Sequence, residues 1–481
     1  MALGDIQPRN AKTGRSQIGG KTKRIMNSDC LPVLFLSEFA AQTLKTQLTP
    51  VFYISLPLDE AIPAMNSLHK RVGAFHYSSF RYLFFARFLT VLGNGIAPIA
   101  LAFAVLDIGG SASDLGIVVA SRSILNVIFL MIGGILADRY SRNRILISSS
   151  LIAAVSQTVI AWSVLDGSAT VMSMALLGAL NGAGSGIALP ASSTLVPLTV
   201  PAQNLRGANA LIQLGINSGT IIGASLGGVL ISSVGPGWGL AVDALGFAAS
   251  APLYFLIRTS STLVCSSATH VFQDLKEGWK EFISRSWVWI TVVQFTIINA
   301  AFSGVVMVLG PVIADASFGR AHWGGIIAAQ SFGLITGSYL SLKWRPRRDL
   351  FISVMLVAFC AAPMLMLSQP VSKIFLVAAF FVAGVVLGLF DVSWAHALQI
   401  HIPQDKLARV YAYDAIGSFV AIPFGELVAG PLASHYGTSN VLLVSAMVVI
   451  LIALGACLVP SLRQLDNSSQ AKSHKEMDSS S

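Results

Sequence analysis

The chain has 481 residues, 54% of them hydrophobic and 11% charged, with a mean hydropathy of +0.71. An average soluble domain is about 25% charged, and one soluble core cannot absorb so many unbroken apolar runs, whereas a bilayer demands about 20 apolar residues of each spanning helix. Composition therefore excludes a soluble enzyme and leaves an all-α membrane protein that crosses the bilayer many times. The formal charge of +9 does not imply nucleic acid, because the basic residues sit at the termini and in short loops between apolar segments. Four cysteines, Cys30, Cys265, Cys360 and Cys457, have neither metal-type spacing nor the arrangement of a disulfide framework. No metal or cofactor is expected.

Residues 1–78 read as a disordered cytoplasmic tail. The stretch GDIQPRNAKTGRSQIGGKTKRIMNSD is polar and basic, and the apolar run after it is interrupted by Glu38 and too short to span. It lacks the small-residue cleavage site of a signal peptide. Translation from Met65 would leave everything below unchanged.

Twelve apolar segments follow, at 82–106, 112–137, 145–165, 169–195, 207–233, 237–257, 287–313, 322–342, 350–368, 374–398, 410–433 and 437–459. The widest break divides them six and six. It predicts an N-terminal bundle over 79–257, a cytoplasmic linker over 258–286, a C-terminal bundle over 287–460 and a disordered tail over 461–481. Within the linker, Phe272, Leu275, Trp279, Phe282 and Ile283 share one helix face opposite charged residues, which suits an amphipathic helix on the membrane surface.

Orientation follows from the basic residues of the loops. Loops on one side hold Arg139, Arg142, Arg144, Arg206, Arg258, Lys276, Lys280, Arg285, Lys343, Arg345, Arg347, Arg348, Lys406 and Arg409, while the opposite loops hold only Arg320 and Lys373. This places both termini and the linker in the cytoplasm of a protein of the inner (plasma) membrane. The halves also repeat. Residues 200–230 slide onto 402–432 without a gap, pairing Pro201 with Pro403, Leu205 with Leu407, Ala210 with Ala412, and Leu230 with Leu432. Gly215, Gly223 and Gly228 fall on Gly417, Gly425 and Gly430. The match joins the fifth segment to the eleventh, as a six-plus-six duplication requires.

The loop after the second segment reads GGILADRYSRNR, residues 133–144. A glycine there lets helices approach, Asp138 can pair with an arginine or cap a helix, and the arginines hold the loop at an anionic membrane face. Gly134, Leu136, Ala137, Asp138, Arg139, Arg142 and Arg144 match G-x-L-A-D-R-x-x-R-x-R position by position. On that motif the chain resembles the major facilitator superfamily across residues 81–460. The resemblance implies two six-helix bundles rocking about a central cavity, with this cluster as a latch on the cytoplasmic side. In the second half, LKWRPRRDL keeps the basic residues and lacks the acid, so the latch is one-sided.

Gly215, Gly219, Gly223, Gly227 and Gly228 give the fifth segment the small-residue spacing of close helix contact. GTIIGASLGG, residues 219–228, is also similar to the antiporter signature of drug exporters in this superfamily, with Ala224 where that pattern has proline. Packing alone is the competing account. Further phrases, FARFLTVLGNGIAPIALAFAVLD, VPAQNLRGANAL, AVDALGF and DLKEGWKEFISRS, resemble the branch of enterobactin-type siderophore exporters and macrolide-efflux proteins.

Ionisable residues deep in the spans are costly, at least ~2.5 kcal/mol each when unpaired. Glu426 and then Asp243 are the leading candidates to exchange protons between the two sides. For each a structural role competes: Glu426 bonded across a helix interface, Asp243 paired with Arg122 or bonded to a helix terminus. Arg122 lies inside the second segment, and Asn94, Gln213, Asn217 and Gln330 offer uncharged bonds to a substrate or between helices. Arg87, Asp391 and His396 sit nearer the cytoplasmic ends, and Asp315 and His322 are expected to meet water. There is no phosphate loop, zinc-binding H-E-x-x-H or nucleophile elbow. The expectation is a monomeric secondary transporter whose partners are a small molecule, protons and the lipid bilayer. It would export an amphipathic drug, siderophore or secondary metabolite by proton antiport. An uncoupled facilitator or importer, and a non-transporting receptor or assembly factor, are the alternatives.

Overall fold

The computed structural model describes residues 73–258, 279–344 and 346–465. The greater part of the expected N-terminal tail, most of the C-terminal tail, and Phe272 and Leu275 of the linker lie outside the described residues.

Twelve helical rods appear among the described residues where the apolar runs predict them. In the first half they are α1 (Ser78–Asp107), α2 (Ala112–Arg139), α3 (Arg142–Leu165), α4 (Val171–Leu195), α5 (Leu205–Val234) and α6 (Pro236–Leu256). In the second half they are α7 (Ser286–Ala316), α8 (Arg320–Lys343), α9 (Asp349–Leu367), α10 (Lys373–His401), α11 (Gln404–Val420 and Ile422–Tyr436) and α12 (Thr438–Cys457). Eleven helices are long and apolar enough to cross a membrane, α8 falling outside that set. Large apolar side chains face outward on them, Trp162 at 72%, Phe255 at 77% and Ile374 at 77% exposure, an arrangement that lipid favours and water does not. Local signals set several ends. Ser111 and Asp114 form a reciprocal capping box at the start of α2, and Thr170 with Ser173 does the same for α4. The hairpins between α5 and α6 and between α11 and α12 each turn on one residue, Gly235 and Gly437, at φ of 95° and 85°, a left-handed backbone that only glycine adopts cheaply.

Each half forms a bundle with the same internal pairing. In the first, α1 lies against α5 and α6, α2 against α4, and α3 against α4 and α6; in the second, α7 lies against α11 and α12, α8 against α10, and α9 against α10 and α12. The sequence repeat carries over to individual contacts. A Cβ on Gly223 would fall 2.3 Å from the Leu92 carbonyl of α1, and Gly425 is pressed against the Ala300 carbonyl of α7 in the same way.

Two seams join the bundles, α5 with α8 and α2 with α11. At the first, a Cβ on Gly324 would lie 2.6 Å from Gly228 Cα and 2.7 Å from the Ala224 carbonyl. At the second, a Cβ on Gly116 would lie 2.5 Å from the Glu426 carbonyl and one on Gly430 2.4 Å from the Ala112 carbonyl. Both sets of contacts gather toward the end that carries Asp107 and Arg320. There the Arg320 guanidinium donates to both oxygens of Asp107, with Nη1 to Oδ2 at 3.0 Å, and Nε donates to Asp315 at 2.7 Å. It also lies 4.9 Å over the Phe103 ring. Asp315, expected to meet water, is thus ion-paired, and His322 lies 3.3 Å from Lys373 Nζ.

Three helices depart from regularity. α7 contains a π-helical turn at Gly304–Leu309, α9 a 3-10 turn at Val357–Ala361, and α11 breaks at Ala421. Pro423 accounts for the last, since it has no N–H to give and its ring clashes with the carbonyl four residues back. α11 also begins at Gln404 rather than near 410. The expected tail boundary at residue 78 shifts as well. Gly73–His76 form a 3-10 turn, Ala74 is buried, and Phe75 meets Phe80 and Phe84 edge-on. At the other terminus Pro460–Arg463 make a short helix that buries Leu462.

The end of the linker is helical over 279–284 and is docked on α11. Trp279 stacks on Phe282, and both rings contact Tyr413 at 5.3 and 5.9 Å. Glu281 accepts from Lys406 at 3.0 Å and from Arg285 at 2.9 Å, and those hydrogen bonds, the one from Lys406 foremost, hold its carboxyl below the ordinary glutamate range.

Gly324→Val should cost roughly 1–3 kcal/mol through overpacking, read as a lower melting temperature in detergent. Gly325→Val, where no atom lies within 4 Å of an added Cβ, should cost little; equal effects would refute the seam. Because the Glu281 carboxyl is depressed in the folded state, its contribution is present above the ordinary value of about 4.3 and disappears as pH falls through the folded value. Glu281→Gln should therefore melt below the wild type at pH 7 and converge with it in acid, by about 1 kcal/mol or less. Parallel curves across that range would count against the contact.

Candidate transport site

Between the bundles lies a cavity of about 370 Å³, lined by Pro98 and Leu101 of α1, Arg122, Ser123 and Asn126 of α2, Leu189 of α4, Met307 of α7, and Phe419, Ile422 and Glu426 of α11. The irregular turns shape it. The break at Ala421 separates Phe419 from Ile422 while leaving both on the wall, and the π turn of α7 brings Met307 to it. Ser303, immediately before that turn, donates to Glu426 Oε1 at 2.7 Å. Glu426 is 2% exposed, and its Oε2 has no hydrogen bond of ordinary geometry.

Arg122 is the central cation. Its Nη2 donates to Asn94 Oδ1 of α1 at 2.9 Å, and its charge interacts with both Asp243 and Glu426. It forms no ion pair within 4 Å to either among the described residues, so the expected direct Asp243–Arg122 pairing does not occur. Asp243 of α6 is fully buried, with neither oxygen hydrogen-bonded. It lies against Gly93, where a Cβ would come 2.4 Å from Asp243 Oδ1. The backbone of α1 is thus bare where the carboxylate passes. A lone ion in such a place would cost several kcal/mol after relaxation, and the nearby charge of Arg122 offsets part of that cost.

Asn94 also borders two smaller cavities. One, of about 160 Å³ inside the first bundle, holds Arg87, Thr90, Ser149, Ser150, Ser192 and Tyr254, with Arg87 Nη1 donating to Ser192 at 2.7 Å. The other, of about 150 Å³, reaches Thr220, Ala224 and Trp323 at the α5–α8 seam. Gln213 and Asn217 are not brought to these cavities; they bond each other at 3.2 Å on α5. The glycine run is accounted for by packing. Gly215, Gly219, Gly223 and Gly227 lie against Phe84, Phe88, Leu92 and Ile96 of α1, and Gly228 against α8. With Ala224 in place of proline, α5 runs unbroken.

At the other end, Asp138 and Arg139 occupy the last turn of α2 and Arg142 opens α3. The side chains of Gly134, Asp138 and Arg139 lie outside the described residues; Arg144 is exposed. His396 is 3.4 Å from Asp349. Sequence reasoning missed Ser303, the Asp107–Arg320 pair and Asp414. For Asp414 a signal existed, an acid one turn inside the expected eleventh segment.

The family model described as Major Facilitator Superfamily matches residues 83–425, and the chain belongs to that family. It is a membrane-embedded transporter that crosses the bilayer many times, not an enzyme. The multidrug efflux pump Tap of Mycolicibacterium fortuitum is 25% identical over 407 residues, covering 81% of this chain and 97% of the relative. The enterobactin exporter EntS of Escherichia coli O1:K1 / APEC is 24% identical over 400 residues, covering 78% and 92%. Among solved structures, the nucleoside transporter NupG superposes with a TM-score of 0.64 at 14% identity, covering 81% of this chain and all of that one, 100%. That likeness speaks to the fold.

If Arg122 compensates Asp243, then Arg122→Gln should destabilise by roughly 3–5 kcal/mol, and adding Asp243→Asn should recover part of the loss. A double-mutant cycle on detergent melting curves measures the coupling. Strict additivity would mean that the two charges do not interact.

Proposed function

We propose that this transporter exports an amphipathic organic molecule, of the drug, siderophore or secondary-metabolite kind, in exchange for protons. The observation that carries the reading is a trio beside the central cavity, two buried carboxylates and the half-buried Arg122. In a low-dielectric site two acids and one base reach neutrality only when the acids share one proton. A trio of this kind can gain and lose a proton as the cavity changes sides. Glu426 borders the cavity and is the first coupling residue; Asp243, buried behind Arg122, is the second, with Asn94 holding Arg122 in place. The names of the two exporters described above support outward movement of organic cargo.

In this reading the two bundles span 79–257 and 287–460, joined by the 258–286 linker, in a monomer. The loop bias supports the inner (plasma) membrane with both termini cytoplasmic. The Asp107–Arg320 end then faces outward and is closed in the described state, while the cavity serves the cytoplasmic side. The opposite state requires Arg320 to leave Asp107 and the Gly134, Asp138, Arg139, Arg142, Arg144 cluster to latch the inner end. Gln213 and Asn217 bond each other on α5 and are assigned no contact with cargo. The Gly215–Gly228 run serves packing, and antiport rests on the acids and not on that run.

Glu426→Gln should insert normally and lose proton-coupled efflux in everted vesicles, at least about tenfold in rate, with loss of the pH dependence. Unchanged efflux and pH dependence would remove Glu426 from the mechanism. Accumulation of substrate by the wild type that an uncoupler leaves intact would overturn proton antiport.

A further inference from the structure

We propose that the C-terminal bundle holds a second binding site, built for an organic cation with a planar apolar body. The site is a separate cavity of about 370 Å³ lined by α7, α8, α10 and α11, with Phe295, Phe390, Asp391, Trp394, Asp414 and Phe419 on its wall. That volume lies within the range of small-molecule sites.

Its walls are aromatic and ordered. Phe295 stacks on Phe390 at 3.9 Å between ring centroids and 21° between planes, and Phe390 stacks on Trp394 at 6.0 Å and 16°. Trp394 is pinned in turn, its Nε1 donating to Asp414 Oδ2 at 2.9 Å, while Ser418 donates to Asp414 Oδ1 at 3.3 Å. Three residues before Trp394 on α10, Asp391 accepts no hydrogen bond and forms no ion pair with any described residue. Its side chain is exposed to the cavity space although the residue sits well inside the bundle. Asp391 and Asp414 are close enough for their charges to interact. Among the described residues no lysine, arginine or histidine lines the cavity.

The contrast with the central cavity is chemical. There Arg122 faces the acids; here two carboxylates share an aromatic recess with no counter-charge among the described residues. A cation relieves their mutual repulsion, and ring faces attract a cation or stack on a planar body. Asp391, without a partner, is the group free to take an ammonium, amidinium or quaternary nitrogen. Asp414 mainly positions Trp394. Phe419 belongs to both linings, so a ligand held here lies next to the central route. The assignment of this ligand as cargo rests on the exporter reading; its binding does not.

Ethidium, a planar aromatic cation, is the probe, titrated by fluorescence against the full chain in lipid nanodiscs, with uncharged Nile red as the comparator. The wild type should bind ethidium saturably. Asp391→Asn should weaken it at least about tenfold and leave Nile red within about twofold, and Asp391→Glu should restore most of the affinity. The site is overturned if the wild type does not bind ethidium, if Asp391→Asn binds it as the wild type does, or if Asp391→Glu fails to rescue while the protein still elutes as a single species. Equal loss of both probes in Asp391→Asn also overturns it, since the carboxylate would then matter only to packing. Because the measurement is at equilibrium without a gradient, ethidium binding by a protein that shows no efflux would separate failure of the exporter reading from failure of this site.

Discussion

The structure depends on how closely two backbones approach at the seams. Inside a bilayer, apolar side chains gain nothing by leaving lipid for one another, so helices associate where small residues permit tight van der Waals contact. Gly228 with Gly324 on one side, and Gly116 and Gly430 with α11 and α2 on the other, supply that contact. These are also the main places where the bundles touch. Within each bundle, by contrast, α2 on α4 and α8 on α10 are joined along long faces. The bundles are therefore joined to each other through glycine-lined backbone contacts at two seams.

Charge is distributed to match. Arg320 and Asp107 are partly exposed, at 23% and 39% of their side-chain surface, and exposed pairs are worth about 1 kcal/mol or less. In the proposed cycle this contact has to open, and its partial exposure lets water replace it. The acids most withdrawn from water, Asp243 and Glu426, lie around Arg122, where the cost of desolvation is large. The aromatic column from Phe295 to Trp394 sits in the other bundle, so the chemistry of the two walls differs although their frames are alike.

Much of this was legible in the chain. Apolar runs located the spans because a bilayer leaves the backbone no alternative to a helix of that length. The repeat of residues 200–230 in 402–432 anticipated which glycines would occupy equivalent contacts. What escaped was everything that depends on two distant segments meeting. Asn94 as the partner of Arg122, Ser303 as the partner of Glu426, and Asp107 as the partner of Arg320 carry no periodic signal of their own. Gln213 and Asn217 show the converse: polar residues at helical spacing found each other rather than the cavity. Pro423 stands two residues past the break of α11, and Pro311 stands two residues past the end of the π turn Gly304–Leu309, so each of these irregular turns has a proline beside it in the sequence.

One detail of the seams bears on how a duplicated chain can become a coupled machine. In the repeat, Ala224 and Glu426 hold the same position. Gly324 abuts the carbonyl of the first, and Gly116 abuts the carbonyl of the second. The bearing is made by a main-chain oxygen that any residue provides, so the side chain attached there was free to change without loosening the joint. One copy carries a methyl group and the other an acid, so the two joints are alike in their main-chain packing and differ in the chemistry of the side chain set beside it.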